Sequence, residues 1–360
     1  MRCTPSNRLA LWLLTAVCTV ACNTNKPEEI TAEADTRLWV KEAFAKKDIM
    51  QMPTTFNHER AAIIHSRLLA ETDLLKKMNL TAAYANELLN CGKYSEAISM
   101  LDTIYKFFAD YNAEMDSLTK RNLYSMVGIA YMRQGEIENC LQHHNHESCL
   151  IPIQPKGIHQ LTTGSRKAIE IYEKCLAEFP QDLETIYLLN IAYMTLGEYP
   201  HRVPKKYLID PTWFKSKIDY PRYTDIAAQL GLNTYSLAGG TVIDDFNNDG
   251  WLDIVVTSMG TKEELILYIN NGDGTFADRT EAFGLKGHVA ILNLNQTDYN
   301  NDGWLDLFLM RGGWYKGQGD MPCTLLKNTG KGSFVDVTLK AGLTKYAASQ
   351  TSAWADYNLD

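Results

Sequence analysis

What the chain lacks narrows its function before any motif is found. It has no surplus of positive charge: 35 Lys and Arg stand against 43 Asp and Glu, a net charge of −8, a balance that argues against sequence-independent binding along a phosphate backbone. It is short of long apolar runs. Residues 9–21 form a run of 13, below the roughly 20 needed to span a bilayer, and no other segment qualifies. There is no His-Glu-x-x-His, no phosphate-gripping Gly-Lys-Ser/Thr and no paired-glycine dinucleotide fingerprint. Gly164-Ser165 lacks the flanks of a nucleophile elbow. Core-forming residues, by contrast, are plentiful: 45% of 360 residues are hydrophobic, enough for two or three domains and against a disordered chain.

Arg2 and Arg8 precede the apolar run, which ends Thr19-Val20-Ala21-Cys22. The charge, length and small residues predict a secretory signal over 1–21. Small residues before a cysteine resemble a bacterial lipobox, with Cys22 lipidated. Leucine is usual where Thr19 stands, so cleavage after Ala21 by an ordinary signal peptidase is the alternative. A polar tether follows, and residues 22–57 are read as tether plus one helix. Export implies an oxidising compartment. Five cysteines then remain besides Cys22, namely Cys91, Cys140, Cys149, Cys175 and Cys323, an odd number.

Residues 58–206 read as helical hairpins. Leu89-x-x-Gly92-x-Tyr94-x-x-Ala97, Gly128-x-x-Tyr131-x-x-x-Gly135 and Leu189-Asn190-x-x-Tyr193-x-x-x-Gly197-x-Tyr199 share one pattern. They resemble tetratricopeptide repeats, in which glycines admit close helix packing and aromatics fill the gap between paired helices. Ala168, Tyr172, Cys175 and Pro180 fit the second helix of such a repeat, with Cys175 as core. Gly135 and Gly197 are 62 residues apart, about 28 more than one repeat. An insertion over about 140–167 is therefore expected to interrupt the second helix. Residues 207–222 are read as a linker.

From residue 223 the pattern changes to short strands and glycine turns, the strands falling at 241–243, 252–256, 265–269 and 305–309. Two segments nearly coincide: Asp245-Phe246-Asn247-Asn248-Asp249-Gly250-Trp251-Leu252-Asp253 and Asp298-Tyr299-Asn300-Asn301-Asp302-Gly303-Trp304-Leu305-Asp306. A third begins at Asp356 and continues through Asn358 to Asp360. Oxygen-bearing side chains at alternate positions, with a glycine at the sharp turn, suit a hard divalent cation that takes six to eight oxygens at about 2.3–2.6 Å. Trp251 and Trp304 stand where a backbone carbonyl would be offered. Helical flanks and a glutamate at position 12 are missing, so these are not EF-hands. The competing reading of one copy alone is an Asp/Asn turn with local side-chain bonds; repetition favours calcium.

A second motif keeps step: Tyr223-x-Asp225, Phe276-x-Asp278 and Phe334-x-Asp336 each precede an aspartate loop by 22 residues. A period of 53 and then 58 residues is that of a propeller blade. The loops resemble FG-GAP/VCBS repeats of integrin-type β-propellers. The order of parts, signal then tetratricopeptide-like helices then these repeats, resembles bacterial relatives of the cartilage acidic protein family, which continue into an ASPIC/UnbV domain. The resemblance implies an α + β multidomain protein: a helical repeat domain followed by an incomplete calcium-binding propeller over 223–360, the chain being an N-terminal fragment of a longer one.

The insertion holds Cys140, His143, His144, His146 and Cys149. Three readings stand open: a Cys140–Cys149 disulfide, a transition-metal site using the thiolates with one or two of the histidines, or unpaired loop residues. The loop from Arg311 to Gly319 is read either as an ordinary connection or as a ligand contact. Beyond residue 222 there are 17 acids and 9 bases, so the whole net charge lies there, and eight of the 17 are aspartates of the three loops. These readings converge on an exported, non-enzymatic, calcium-binding lipoprotein of the outer membrane or cell surface, or of the soluble periplasm. Its partners would be protein or glycan, not nucleic acid, and its only membrane contact the N-terminal lipid. The rivals are a metal or redox protein using the Cys/His insertion and a nutrient-binding surface lipoprotein.

Overall fold

The computed structural model describes residues 35–52, 56–110, 116–143, 150–153, 155–216, 218, 221 and 223–356. The signal, Cys22, His144, His146, Cys149, Asn358 and Asp360 lie outside that set, as does the His143 side chain. An α-helical half precedes a β half. Among the described residues no helix is long and apolar enough to cross a membrane.

Helix α1, Thr36–Ala45, starts on Asp35, whose carboxylate accepts from the Arg37 amide at 2.9 Å, as an N-cap should. Then come α2 (Asn57–Ala70), α3 (Leu74–Asn90), α4 (Tyr94–Asp110), α5 (Ser117–His143), α6 (Thr163–Glu178) and α7 (Leu183–Thr195). From α2 on, each helix packs on the next along the chain. Ala85, Leu101, Leu123 and Val127 fill the space among α3, α4 and α5. Ala168, Tyr172, Leu176, Leu189 and Tyr193 do the same among α5, α6 and α7. Cys175 is fully buried there, as its place in the pattern predicts.

The glycines of the three helical signals serve different ends. Gly92 and Gly197 follow α3 and α7 with φ of +75° and +68°, the left-handed turn that closes a helix. Gly135 instead lies inside α5, which runs on for two more turns. The expected insertion therefore does not interrupt the second helix. It lies between an elongated α5 and α6, which starts at Thr163. The reason is packing. A Cβ on Gly164 of α6 would fall 2.5 Å from the Gly135 nitrogen and 2.6 Å from the Tyr131 carbonyl oxygen, and one on Gly128 would fall 2.2 Å from the Tyr172 ring. Here glycine lets two helix backbones meet and does not turn the chain. Asn139, also in α5, accepts the amides of Gln160 and Leu161 on its Oδ1 at 2.7 and 3.0 Å. Its Nδ2 donates to the carbonyls of Gly135 and Leu161. One buried side chain thus anchors the returning segment.

The stretch read as a linker is packed at its start. Tyr207 is buried and its hydroxyl donates to the Leu176 carbonyl at 2.8 Å, while Asn190 donates to the Tyr207 carbonyl and accepts from the Ile209 amide.

The β half forms two four-stranded antiparallel sheets, each in simple chain order. The first holds β1 (Thr241–Asp244), β2 (Asp253–Val256), β3 (Ile266–Asn270) and β4 (Phe276–Asp278). The second holds β5 (Asn293–Thr297), β6 (Asp306–Met310), β7 (Thr324–Asn328) and β8 (Phe334–Asp336). Strand residues of alternating burial (Val255 in, Ile254 and Val256 half out) meet across the two sheets, where Val242, Val255 and Leu267 share a core with Leu294, Leu307 and Leu326. Gly272, Gly274, Gly330 and Gly332, all at positive φ, turn the β3–β4 and β7–β8 hairpins. Tyr223-Thr224-Asp225 forms no strand and Tyr223 is wholly exposed. Phe276 and Phe334 lie in fourth strands, paired to the third strands of their own sheets, whereas among the described residues no strand precedes Tyr223.

Helix α1 belongs with the sheets. Val40 and Ala43 pack with Met259, Leu292, Tyr315 and Met321. The Thr36 amide and hydroxyl donate to Asp336 Oδ2 at 2.9 and 2.6 Å, and the same hydroxyl lies 2.8 Å from that of Thr324. Thr324 accepts in turn from the fully buried Arg311, whose Nε donates to the Val289 carbonyl. Two threonine hydroxyls thus bridge a buried guanidinium to a carboxylate. Burial pulls Arg311 down to about 10. The Arg311–Gly319 loop is therefore pinned at Arg311 and at Tyr315, whose hydroxyl donates to the Met259 carbonyl, while Trp314, Lys316 and Gly317 stay exposed.

Candidate metal centre

Each aspartate loop joins the first strand of a sheet to the second, so the ladder holds its two ends at fixed separation. In the first, Asp245 accepts the amides of Asp249 (3.1 Å) and Gly250 (2.7 Å), one on each oxygen. Asn247 accepts from the Asp249 amide at 3.0 Å and donates to Asp249 Oδ2 at 2.8 Å. Asp249 Oδ1 accepts from the Trp251 amide at 2.8 Å. Asn248 takes φ +56° and Gly250 +89°, conformations tolerated by Asn and Gly. The second loop repeats four of these five bonds, all but the one from the fifth-position amide to the third-position asparagine. Asp298 accepts from Asp302 (3.0 Å) and Gly303 (2.7 Å), Asn300 donates to Asp302, and Asp302 accepts from Trp304.

The ninth-position aspartates differ in character. Asp253 and Asp306 are fully buried. Asp253 accepts from the amides of Phe246 and Asn270 at 3.0 and 2.8 Å; Asp306 accepts from those of Tyr299 and Asn328 at 3.0 and 2.7 Å. Each ties the loop entrance to the end of the third strand. Burial pushes both carboxyls above the ordinary range, against the pull of their amides, and the neighbouring loop carboxylates add to the rise. Trp251 and Trp304 lay their indoles on Gly272 and Gly330, where any Cβ would collide with the ring.

The donor set suits a hard cation. Each loop gathers three carboxylates and one amide oxygen, and among the described residues no Lys or Arg pairs with those of the first loop. The oxygens as placed answer backbone N–H groups, and no cluster of three or more His, Cys, Asp or Glu shaped to hold a metal occurs among the described residues. Asp356 is described and exposed, but two of its expected loop partners are not. Of the Cys/His set only Cys140, half-buried in α5, has a described side chain, so neither the disulfide nor the transition-metal reading falls within the described residues.

The structure adds four residues that the sequence reading passed over. Asp244 faces Asp253 across β1 and β2, where the second sheet has Thr297 facing Asp306. Lys327 places its Nζ 2.9 Å from Asp302 Oδ2. Asn248 Nδ2 donates to the Gly303 carbonyl at 3.1 Å and Asn328 Nδ2 to the Phe246 carbonyl at 2.8 Å, so the first loop is bonded both to the second loop and to the second sheet. Aligning the two repeats position by position exposes Lys327 against Ile269 and Asp244 against Thr297, a signal available before any coordinates.

Residues 245–309 match an FG-GAP-like repeat. That span runs from the first aspartate of one loop through the second loop and most of β6, so the repeat unit and the duplicated geometry coincide. No curated protein matches the chain.

Proposed function

We propose that the chain is an exported, calcium-binding scaffold, anchored by lipid at Cys22, whose sheets are blades of an FG-GAP/VCBS propeller and whose helices form a tetratricopeptide-like surface for a protein or glycan partner. The observation that carries this reading is the duplication of two loops that share four internal hydrogen bonds, each with carboxylates at positions 1, 5 and 9, within an FG-GAP-like repeat. Calcium there would cancel the repulsion among those carboxylates. Asp245, Asn247, Asp249 and Asp253, with the Trp251 carbonyl, would hold one ion, and Asp298, Asn300, Asp302 and Asp306, with that of Trp304, a second. The role is structural: each filled loop stiffens the turn between two strands, and recognition falls to the surfaces so fixed. The kinship with bacterial relatives of the cartilage acidic protein family rests on the order of parts.

The test is thermal unfolding of the full chain in chelator and in millimolar calcium. A site saturated at a thousand times its Kd adds about 4 kcal/mol, a rise of several degrees in Tm. Asp249→Ala together with Asp302→Ala should erase the rise. An identical Tm in chelator and calcium would refute the reading. Glycan-array binding of the calcium-loaded chain separates a glycan partner from a protein one.

A further inference from the structure

The two loops share four internal hydrogen bonds but not their electrical surroundings. The first has three loop carboxylates and a fourth at its edge, Asp244, which stands across the ladder from Asp253 and accepts from the Asp245 amide and Gln296 Nε2, and no ammonium or guanidinium pairs with any of them among the described residues. The second has three, with Thr297 in place of the fourth, and already contains a cation: Lys327 Nζ lies 2.9 Å from Asp302 Oδ2. That oxygen also accepts from Asn300 at 3.0 Å. The residue matching Lys327 in the first sheet is Ile269, buried in the shared core. Lys327 is held from β7 next to Asn328, whose amide answers Asp306, so the ammonium is built into the same loop-and-strand unit as the ligands.

We propose that Lys327 is an internal counter-ion that makes the two loops unequal, the 245–253 loop filling first and the 298–306 loop only at higher calcium, when the ammonium is displaced from Asp302. This inference rests on the calcium reading above and specifies the order in which the sites fill. The physics is competition for one oxygen. A divalent ion entering the second loop must break the Lys327–Asp302 pair and then share the loop with a unit positive charge a few ångströms away. The first loop meets no such cost and has an extra carboxylate to attract the ion. Because Lys327 and Asp302 are each about one-third exposed, added salt screens the attraction and the repulsion alike, so the two affinities should converge as ionic strength rises.

The experiment is a calorimetric calcium titration of the full chain at low salt, on the wild type, Lys327→Met, Lys327→Arg and Asp249→Asn. The expected result is two separable steps in the wild type, the tighter one lost in Asp249→Asn. Lys327→Met, which keeps the length of the side chain without its charge, should tighten the weaker step by about ten-fold, the effect of removing one unit charge beside a divalent ion in a solvated loop. Lys327→Arg should leave that step in place, which a purely packing role for the side chain would not guarantee. Equal sites in the wild type, or a weaker step in Lys327→Met that is unmoved or loosened while its Tm in chelator matches the wild type, would overturn the inference and leave the calcium reading standing. No calcium heat in any form would overturn both.

Discussion

The helical and β halves resist unfolding by different means. The helical half carries no net charge excess and is held by apolar side chains and by backbones brought into contact at Gly135 and Gly164. The β half carries the whole acidic surplus and places it on loops tied by amide-to-carboxylate bonds. The lesson is that one chain combines a half packed through apolar side chains and close backbones with another whose charge is gathered on carboxylate-rich turns. Helix α1 blurs the boundary, since it precedes the helical half in sequence yet packs into the β half.

Four perturbations would break or sharpen this contrast. The largest effect is expected from Gly164→Leu, which forces α5 and α6 apart and should cost about 3 kcal/mol or more. Denaturant unfolding should show the same loss with and without calcium; a loss that calcium reverses would dissolve the distinction between the halves. Next is Asp253→Ala, which strands two amides in the β half and should cost about 3 kcal/mol even in chelator. The exposed Asp249→Ala should cost less than about 0.5 kcal/mol there, and calcium should deepen both losses by the same amount, since each variant forfeits the same ion. Third is pH. Burial, reinforced by Arg311 and Arg37, pulls His288 down to about 3. Since the unfolded imidazole titrates near 6.5, the unfolded chain takes up a proton that the folded one refuses, so stability is lost as pH falls below that value. At pH 5 the loss is about 2 kcal/mol, and His288→Leu should flatten it in paired melts at pH 7 and pH 5. Smallest is Asn248→Ala, which removes the bond to the Gly303 carbonyl and should cost about 1 kcal/mol. A calcium titration of the same variant reads whether the loops then fill more independently.

Much of the β half was legible in sequence because its information is local and repeated. Alternating apolar residues, positive-φ glycines and spaced aspartates each act within a few positions, and the second copy confirmed the first. The helical half was legible in its elements but not in one junction. Gly135 has the spacing of a turn residue, and only the presence of Gly164 against it, across an excursion of some 28 residues, keeps α5 straight. The docking of Thr36 on Asp336 spans 300 positions and follows no periodicity. Arg311 left a fainter trace: a lone charge directly after the core strand 306–310, where burial needs the Val289 carbonyl and Thr324 as partners. The Lys327 pairing was legible only by difference, from a repeat position where an ammonium replaces the aliphatic Ile269.

Asn139 has a consequence for how this protein can be re-engineered. By gripping Gln160 and Leu161 from α5, with buried His159 bonded to the Thr195 carbonyl and to Ser165, it fixes the return of the excursion from Gly157 onward, so chain added ahead of that point leaves the helix packing beneath untouched. Doubling such a loop costs only about 0.6 kcal/mol in closure entropy. The α5–α6 junction is therefore a natural port for grafted peptides or reporter domains, and Asn139 is the residue that any such graft must preserve.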